Sequence, residues 1–482
     1  MIIIDKISLH KNDAIIVKIN DGNLLYDVNS SNIIELTNEE IDLLKSISPD
    51  NRNETNIAVK YSRLCDLINN NIIFCPDNRI KSSEATNELQ IFETVLQVAY
   101  TCNMRCSYCY ADSGKYGGNL TSLMTRETAR AAIDFAFENR ATNTLGFGIM
   151  GGEPLLNFET VKDIISYSLK KDQLENTTSL FSLTTNGLLL NNDIVDYLER
   201  NNISVRMSLD GNKRLHDLYR HDVKGNPTYD RINDGGGRLL KKSKINYLIR
   251  CSILGDHGHE LPDQVSNLFS DQYNNIKVDF LWNMENHPGT ISESNFNTVC
   301  EGIDSLAIWF HNKLMNNDLK WHQVFPFAKY IGKLISKDAV SYFYNAGNVV
   351  SSDATFDASL LEKMGVECGA GYNVVSVSAN GDIYPCHRLE NIKSLKLGSV
   401  FDGVDRRKTK YWTSNWRLEK SDCRNCWAKY ICAGGCPAFG YYKHRDPMKV
   451  DNIKCEIRKR FILWSIWILN EITKKGLVCL EK

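Results

Sequence analysis

Three cysteines, Cys102, Cys106 and Cys109, lie close together in the chain in a C-x3-C-x2-C arrangement. Three thiolates on one tight loop can hold three irons of a 4Fe–4S cluster and leave the fourth iron open for a small chelating ligand. Structural zinc is the alternative, but it normally takes four ligands, and this loop offers three cysteines and no histidine. The spacing therefore predicts an iron–sulfur cluster with one open iron.

A second set of cysteines lies in the last quarter of the chain. It comprises Cys368, Cys386, Cys423, Cys426, Cys432, Cys436 and Cys455. The chain has 15 cysteines in all, and clustered thiols in a protein of the reducing cytosol indicate metal ligands rather than disulfides. Taken alone, this second set fits two four-cysteine zinc sites as well as it fits iron–sulfur clusters.

Strand-like and helix-like segments alternate from Ile91 onward. The strand-like runs are Thr94–Tyr100, Leu145–Met150, Leu180–Thr184, Ile203–Leu209, Ile245–Ile253 and Ile276–Trp282. The helical stretches between them include Arg126–Glu138, Phe158–Lys170 and Asn192–Glu199. Six β-α units in series predict an α/β fold, a partial, TIM-like (β/α)6 barrel with a parallel sheet. Functional groups then belong at the carboxyl ends of the strands, where the first cysteine loop lies.

Polar motifs follow three further strands, at Gly151–Pro154, Thr184–Gly187 and Ser208–Gly211, with Arg220 shortly after the last. Together with the cysteine loop, in which Tyr108 is an aromatic residue before the last cysteine, they resemble the signatures of the radical S-adenosylmethionine (SAM) superfamily. The resemblance implies that the open iron chelates SAM. It also implies that SAM is cleaved to a 5′-deoxyadenosyl radical, which abstracts a hydrogen atom from the substrate.

The same resemblance names the residues that bind SAM. They are Tyr108, Gly151, Gly152, Glu153, Pro154, Thr184, Asn186, Ser208, Asp210 and Arg220. In the family the GGEP motif contacts the SAM amino group, and glycine there lets the backbone approach the ligand without a Cβ in the way.

The C-terminal cysteines resemble the SPASM extension, which binds two auxiliary 4Fe–4S clusters. By position, auxiliary cluster I is expected to take Cys368, Cys386 and Cys436, and auxiliary cluster II to take Cys423, Cys426, Cys432 and Cys455. The resemblance thus implies three 4Fe–4S clusters in addition to SAM. The nearest cysteine before Cys368 is Cys300. Cluster I therefore has either an open iron that can take a substrate thiolate or a fourth ligand from elsewhere.

SPASM enzymes commonly act on peptides, and two substrate classes stay open. In anaerobic sulfatase-maturating enzymes an Asp follows the cysteine that matches Cys386, whereas this chain has His387 there. His387 is the candidate acid or base, since its unperturbed pKa is ~6.5. Cys368–Gly371 and Tyr384–His387 look most like maturases that install thioether links in ribosomally made peptides. We therefore expect an enzyme that forms an intramolecular cross-link in a precursor peptide, as a thioether or a carbon–carbon cyclophane.

Two alternatives remain beside cross-linking. One is formylglycine formation by a sulfatase-maturating enzyme, and the other is a non-catalytic iron–sulfur protein that only binds peptides. An enzyme of this family also needs an external one-electron reductant of the flavodoxin or ferredoxin type.

The first 75 residues form a small α+β, winged-helix-like module. Ala14–Ile19 and Leu24–Val28 are strand-like, Thr37 is placed to cap a helix, and Ser62–Asn69 predicts a second helix. The order resembles the PqqD-like domain that binds leader peptides. An exposed sheet edge can accept an extended leader as an added strand, and tethering then raises the effective concentration of the reactive core peptide.

The expected domain organisation follows from these segments. Residues 1–75 are the leader module, 76–90 a polar linker, 91–315 the barrel, 316–367 a bridging region and 368–482 a loop-rich SPASM domain with two auxiliary clusters.

Charge and hydropathy exclude several partners. Lys+Arg (57) and Asp+Glu (58) give a formal net charge of −1, so no nucleic-acid partner is expected. The longest apolar run, Phe461–Leu469, is far shorter than the ~20 residues of a membrane span, and Glu456–Leu469 predicts a buried helix. Met1–Asp5 is too short to be a secretion signal, so we expect a cytoplasmic protein without a membrane partner.

Some residues fit no motif. Cys65, Cys75, Cys251 and Cys479 are expected to be small buried side chains. His257 and His259 could chelate a metal in principle, but we expect a solvated pair because no further ligand is near in the sequence.

Overall fold

The structure is a computed structural model. It describes residues 4–9, 13–19, 22–46, 62–77, 88–116, 122–282, 289–335, 368–390, 392–414 and 422–478. Within these ranges the strands form a four-stranded and an 11-stranded sheet. Most of the predicted linker and bridging region and Cys479 lie outside the described residues.

In its described residues the N-terminal module is an antiparallel meander with two helices. Its elements are β1 (Ile4–Leu9), β2 (Ala14–Ile19), β3 (Gly22–Asp27), β4 (Ile33–Glu35), α1 (Asn38–Ser46) and α2 (Ser62–Asn69). Thr37 caps α1 as predicted: Glu40 N donates to Thr37 Oγ1 over 3.2 Å, and Thr37 N donates to the Glu40 carboxylate over 2.8 Å. This reciprocal pair is a capping box, which satisfies two backbone donors at the helix start.

The module packs against the rest of the enzyme through one face of its sheet. On β2, Ile16 joins the small core beneath α1, whereas Ile15 and Val17 join the main core. Successive side chains of a strand point to opposite faces, so the sheet is buried on both sides. Lys429 of the C-terminal region also pairs with Asp77 at 2.6 Å. These contacts fix the module to the body of the protein.

Six parallel strands in chain order form the centre of the larger sheet, as predicted. They are β5 (Glu93–Ala99), β6 (Thr144–Gly151), β7 (Thr178–Thr185), β8 (Ser204–Ser208), β9 (Tyr247–Ile253) and β10 (Ile276–Phe280). A short seventh strand, β11 (Val324–Phe325), pairs in parallel with β10. The α/β partial-barrel fold is confirmed, and the carboxyl ends of its strands share one edge.

Helices connect these strands and cover one face of the sheet. They are α3 (Arg126–Glu138), α4 (Phe158–Glu175), α5 (Asn192–Arg200), α6 (Lys213–Tyr219), α7 (Tyr229–Arg231), α8 (Arg238–Lys242) and α9 (Leu261–Ser270). The bounds of α3 are those predicted. Its N-cap Thr125 accepts a hydrogen bond from Thr128 N, which is the interaction expected of a threonine at that position.

The C-terminal region extends the barrel sheet and covers it with further helices. It contributes α10 (Phe296–Met315), α11 (Phe327–Ile335), β12 (Val374–Val377), β13 (Asp382–Tyr384), β14 (Gly398–Ser399), β15 (Gly403–Val404), α12 (Arg406–Ser414), α13 (Lys429–Cys432), α14 (Pro437–His444) and α15 (Asn452–Lys474). Strand β12 pairs in parallel with β5, and the later strands continue as an antiparallel meander. The C-terminal region and the barrel therefore share one sheet.

The predicted buried helix near the C-terminus is confirmed as part of the longer α15. Phe461 and Trp464 are buried in the main core. Trp464 Nε1 donates to Asp304 Oδ1 of α10 over 2.7 Å, and Arg460 Nε donates to the same oxygen over 2.6 Å. The helix is apolar on most sides because α10 and α11 pack against it.

Glu390 joins the barrel to the C-terminal region. Tyr100, directly after β5, donates to Glu390 Oε2 over 2.8 Å, and the hydroxyl of Ser376 on β12 donates to the other carboxylate oxygen. Burial raises the pKa of Glu390 to about 8, although both hydrogen bonds act in the opposite direction. The folded protein therefore retains a proton that the unfolded chain releases.

We expect the free energy of unfolding to fall as the pH rises from 4.5, the ordinary pKa of this carboxyl, to about 8. A carboxyl with a raised pKa stabilises the fold fully below its unfolded pKa, and the stabilisation is lost as the pH passes the folded pKa. Glu390→Gln should remove this component and flatten the melting temperature between about pH 6 and pH 8.5. Scanning fluorimetry measures the slope, with the exposed Glu127→Gln as the matched control. An unchanged slope in Glu390→Gln would contradict the assignment.

Candidate functional site

The loop that carries the first three cysteines follows β5 and is held by backbone hydrogen bonds. Arg105 N donates to His221 O over 2.8 Å, and Ser107 N donates to Tyr219 O over 2.9 Å. Both acceptors lie at the end of α6 or just beyond it. The loop is therefore fixed at the carboxyl edge of the sheet, where the barrel fold predicted it.

The sulfur atoms of this loop accept hydrogen bonds from nearby N–H groups. Met104 N lies 3.4 Å from Cys102 Sγ, Asn186 Nδ2 lies 3.6 Å from the same sulfur, and Ser113 N lies 3.3 Å from Cys109 Sγ. Donors of this kind stabilise a thiolate. They are the surroundings expected for sulfurs that ligate a metal.

Burial raises the pKa of Cys102 to about 12, with a further contribution from Glu153, and burial also raises the pKa of Cys106. Such thiols become thiolates when a metal cation ligates them. Across the described ranges, no three His, Cys, Asp or Glu side chains are placed to hold a single metal ion. The donor set of three thiols on one loop fits a 4Fe–4S cluster, in which each cysteine ligates its own iron.

Gly151 and Gly152 bring the end of β6 into close contact with the end of β5. A Cβ on Gly152 would lie 2.2 Å from Thr101 O, and one on Gly151 would lie 2.5 Å from Ala99 O. Gly152 N donates to Ala99 O over 2.8 Å, and Glu153 N donates to Thr101 O over 2.9 Å. Only glycine permits this approach, which fixes the backbone immediately before Cys102.

Glu153 is fully buried beneath this contact. Its carboxylate accepts from the backbone N–H two residues on, from Thr185 Oγ1 at 2.8 Å and from Asn186 N at 2.8 Å. Burial raises its pKa to about 7, while the hydrogen bonds act to lower it. Thr185 is not among the residues predicted to bind SAM; the predicted Thr184 is half-buried on β7, and Pro154 begins the turn after Glu153.

Tyr108, Asp210 and Arg220 form one buried network. Tyr108 Oη donates to Asp210 Oδ2 over 2.7 Å and accepts from Arg220 Nη1 over 3.1 Å. Arg220 Nη2 donates to Ser208 O over 3.2 Å, and Asp210 Oδ1 accepts from Ser252 N over 2.8 Å. The network therefore joins the cysteine loop to the ends of β8 and β9.

Burial raises the pKa of Asp210, and the charge of Arg220 opposes that shift. Arg220 is 5% exposed, and its Nε makes no hydrogen bond with any described residue. An unpartnered buried N–H in a polar site is a donor left for a ligand. Together with the glycine cradle, it fits a ligand that carries both a carboxylate and an ammonium group, as SAM does.

Some of the C-terminal cysteines lie close enough to shift one another's pKa. Burial raises the pKa of Cys386 above its usual range, and its neighbours Cys368 and Cys436 raise it further. In the other set, burial raises the pKa of Cys455 to about 12, with contributions from Cys432 and Cys423. Each set contains thiols close enough to influence one another electrostatically.

One cysteine of the second set has the opposite shift. Burial acts to raise the pKa of Cys432, but the charge and hydrogen bond of Arg458 and the charges of Lys329 and Lys333 together outweigh it, and the pKa falls. Arg458 Nη1 lies 3.6 Å from Cys432 Sγ. Cys426 belongs to the same set, since Cys432 contributes to its raised pKa after burial. Cationic surroundings favour thiolate and hence metal binding.

His387, the candidate acid or base, is half-buried beside Cys386. Burial lowers its pKa well below the usual value, and Arg388, Arg250, Lys277 and Arg206 lower it further. The imidazole is therefore neutral at physiological pH, and the cations make it a weak proton acceptor.

The sequence-based predictions did not include a set of charged residues that face the inside of the barrel. They are Arg206 on β8, Arg250 on β9, and Lys277 and Asp279 on β10. The signal was present in the alternation of these strands, since each charged position lies between buried apolar ones.

The cysteines and histidines that fit no sequence motif differ in their burial and contacts. Cys251 is fully buried as expected, whereas Cys65 and Cys75 are only half-buried, so the expectation is wrong for them. His259 is exposed, but His257 Nδ1 lies 3.0 Å from Glu260 Oε1 and is not simply solvated.

Residues 96–258 match the model of the Radical SAM superfamily. The chain therefore carries a radical SAM domain, with the 4Fe–4S cluster and SAM that such a domain implies, and it is a radical SAM enzyme. The described residues include no helix long and apolar enough to cross a membrane.

Two relatives and one solved structure extend the comparison. The cysteine-type anaerobic sulfatase-maturating enzyme of Clostridium perfringens is 25% identical over 381 residues, which are 76% of this chain and 93% of that enzyme. The radical SAM cyclopropyl synthase TigE of Paramaledivibacter caminithermalis is 25% identical over 410 residues, which are 80% of this chain and 75% of that enzyme. The structure of native anSMEcpe with bound AdoMet and the Kp18Cys peptide has a TM-score of 0.62 at 17% identity, covering 80% of this chain and 99% of that chain.

Proposed function

We propose that this radical SAM enzyme is a peptide maturase. It acts on a ribosomally made precursor that binds through its leader, and it closes an intramolecular cross-link, a thioether or a carbon–carbon bond. The observation that carries the proposal is the N-terminal sheet: it packs on the rest of the enzyme, and among the described residues its edge strand β1 pairs on one side only. A sulfatase-maturating relative is matched over 93% of its length by only 76% of this chain, which leaves room for such a module.

The edge of β1 is the better docking position for a leader. Among the described residues β1 pairs with β2 alone, whereas the carbonyl of Glu35 at the other edge, β4, accepts from Arg63 Nη2 over 2.8 Å. Lys6 on β1 lies 5.6 Å from the ring of Trp427, the neighbour of Cys426. An extended leader can add to such an edge by main-chain hydrogen bonds. Its core segment would then be concentrated near the catalytic region.

We assign the domains as expected from the sequence. Residues 1–75 form the leader module, 91–315 the radical SAM barrel and 368–482 the SPASM domain, whose β12 joins the barrel sheet. We assign the cofactors to three cysteine sets. The SAM cluster takes Cys102, Cys106 and Cys109; auxiliary cluster I takes Cys368, Cys386 and Cys436; auxiliary cluster II takes Cys423, Cys426, Cys432 and Cys455.

When bound, these groups supply one-electron chemistry that turns SAM into a hydrogen-abstracting radical, with electrons from an external flavodoxin- or ferredoxin-type protein. The side chains of the protein position the bound groups and exclude water from them. Glu153 fixes the turn after β6 and the residues that precede the cysteine loop, and Arg220 keeps a donor free beside Ser208. Tyr108 couples the loop to Asp210, so the loop and the ends of β8 and β9 hold one geometry.

Formylglycine formation in a sulfatase is the second candidate, favoured by the Clostridium perfringens relative. The residue after Cys386 argues against formylglycine formation. His387 stands there in place of a carboxylate base, and this half-buried, neutral imidazole beside four cations is a poor substitute for one. We therefore place cross-linking first.

The test uses the precursor encoded by the short reading frame beside the gene. The reduced, reconstituted enzyme and SAM should give 5′-deoxyadenosine and a peptide two hydrogen atoms lighter, with a new cross-link seen by tandem mass spectrometry. Deleting the leader should lower kcat/KM by roughly 100-fold, since docking then no longer concentrates the core peptide. A precursor with a scrambled leader of equal length is the matched control.

The possible results of this assay distinguish the candidate functions. An aldehyde that reacts with a hydrazide probe identifies formylglycine instead of a cross-link. SAM that is never cleaved in the reduced enzyme would contradict catalysis itself. Equal kcat/KM for the full and leaderless precursors would remove the leader-binding role of the N-terminal module.

A further inference from the structure

One face of β8, β9 and β10 is strongly charged. The face toward the helices is apolar and consists of Val205, Met207, Ile249, Cys251, Val278 and Phe280, none of them more than 7% exposed. The alternate positions face the other side and carry Arg206, Ser208, Arg250, Ser252, Lys277 and Asp279. Because side chains alternate along a strand, these polar groups line the inside of the barrel.

Strand register places the charges side by side. Arg250 is the partner of Ser208 on one side and of Lys277 on the other, and Asp279 is the partner of Ser252. Partnered residues of neighbouring parallel strands point to the same face. Arg388 reaches the same region from the turn after Cys386, since its charge is among those that act on Lys277 and Asp279.

The cations outnumber the carboxylates that face them. Arg250 Nε donates to Asp279 Oδ2 over 2.6 Å, so this carboxylate is already paired. Arg206 has a buried Nε without a partner, and no described residue forms an ion pair with its guanidinium. Lys277 likewise has no ion pair among the described residues and only approaches the ring of Phe325 at 5.5 Å.

Among the described strand residues, a further carboxylate on this face is Glu93 on β5, three strands from Arg206 in the sheet order. A buried N–H without a partner, such as the Nε of Arg206, is costly and is normally paired. Burial lowers the pKa of Lys277 to about 8, which is the expected response of an ammonium group in such a place. Arg206, Arg250 and Lys277 are half-buried, and an excess of positive charge that the described residues on this face do not neutralise points to an anionic ligand.

The position of this face suits a substrate. Tyr110 directly follows the cysteine loop, and Arg388 lies 5.2 Å above its ring. Arg250 influences Asp210 of the network with Tyr108 and Arg220. The charged face is thus near both the candidate SAM network, through Arg250 and Asp210, and the turn after Cys386, through Arg388.

We propose that Arg206, Lys277 and Arg250 bind a carboxylate of the peptide substrate inside the barrel. The inference rests on the proposed peptide-maturase function and deepens it, because it assigns the substrate class: a peptide with an Asp or Glu side chain, or its own C-terminal carboxylate, near the modified residue. Guanidinium groups bind carboxylates through paired, charge-assisted hydrogen bonds, and a lysine adds a point charge. Because the net charge of the whole chain is only −1, the excess of positive charge is local to the inside of the barrel.

The first experiment needs no precursor. Equilibrium dialysis of the reconstituted enzyme with labelled N-acetyl-L-glutamate, against N-acetyl-L-glutamine amide, measures the preference for a carboxylate. The double variant Arg206→Gln/Lys277→Gln should bind the glutamate probe roughly tenfold more weakly. Arg206→Lys, which keeps the charge, should retain most of the binding. Arg130→Gln is the matched control, since Arg130 lies outside the barrel in an exposed ion pair with Asp163.

Folding is checked by the melting temperature, which should not fall in the double variant because neither side chain forms an ion pair with a described residue. Equal binding of both probes by the wild-type enzyme would overturn the inference. So would unchanged glutamate binding in the folded double variant. A weaker affinity for SAM in the double variant, with the peptide unaffected, would assign the carboxylate to SAM and also overturn it.

The second experiment locates the carboxylate on the precursor. Each Asp or Glu of the core peptide is changed to its amide, and a separate peptide is amidated at its C-terminus. One of these changes should raise KM for cross-linking by roughly tenfold, while 5′-deoxyadenosine formation with SAM alone stays constant. If all are processed alike, the inference is wrong although the maturase function stands. If glutamate binds but no peptide is ever modified, the carboxylate pocket stands and the proposed function fails.

Discussion

Replacing Cys102, Cys106 and Cys109 together by alanine is expected to abolish formation of 5′-deoxyadenosine by the reduced enzyme. The three thiols lie on one loop that hydrogen bonds fix to the end of α6, and no other described cysteine follows β5 so closely. Removing them leaves this loop without sulfur ligands for iron. Iron content after reconstitution should fall by one cluster, as measured by a colorimetric iron assay, with product measured by liquid chromatography.

The C-terminal cysteines should keep their iron in this variant. They lie before β12, on the turn after β13, and on α13, α14 and α15 with the loops that precede these helices, so the change does not touch them. Cys65→Ala is the matched control, because Cys65 is half-buried in α2 of the N-terminal module. A triple variant that still cleaves SAM would contradict the assignment, and a Cys65→Ala enzyme that loses iron would show that the assay reports general damage.

Much of the barrel could be predicted because its signals are local. Each central strand is a short apolar run, and a polar motif with glycine follows several of them directly. Helix α10 escaped prediction because its start lacks the usual signals: it has no acidic residue in its first turn, and Asn295 does not cap it. The Asn295 amide instead donates to Asp256 over 2.9 Å, an interaction that the sequence does not reveal.

The extension of the sheet by β12 could not be read from the sequence for a different reason. Its pairing with β5 joins Val374–Val377 to the start of the barrel, and Ser376 lies 281 positions from its hydrogen-bond acceptor Val95. No local pattern encodes a contact of that separation. The predicted division between barrel and C-terminal domain therefore missed that both contribute to one sheet.

At the site, the motifs identified the residues that surround the cysteine loop but not the charges inside the barrel. The glycines, Glu153, Asp210 and Arg220 stand in short motifs directly after strands. Arg206 and Lys277 instead lie within strands, where a charge between apolar neighbours is equally compatible with a solvent-facing edge. Only the curvature of the sheet turns that face inward.

Gly152→Ala is expected to lower both iron content and SAM cleavage, although the residue carries no reactive group. The new Cβ would lie 2.2 Å from Thr101 O and 2.9 Å from the Cα of Gly114, both of them backbone atoms. Neither can give way as a flexible side chain would, so Thr101 must move and Cys102 must move with it. Overpacking of this kind costs about 1–3 kcal/mol of stability. Displacement of a ligand's support lowers metal affinity or activity by roughly 10- to 100-fold.

Iron per chain and the melting temperature measure the two parts of this effect separately. Gly235→Ala is the matched control, because a Cβ there meets nothing within 4 Å. If Gly152→Ala melts lower but reconstitutes a full complement of iron and cleaves SAM at the wild-type rate, the glycine serves the fold alone. A loss of iron and SAM cleavage with the fold intact means that the close approach of β6 to Thr101 sets the position of the cysteine loop, since no other contact of Gly152 changes.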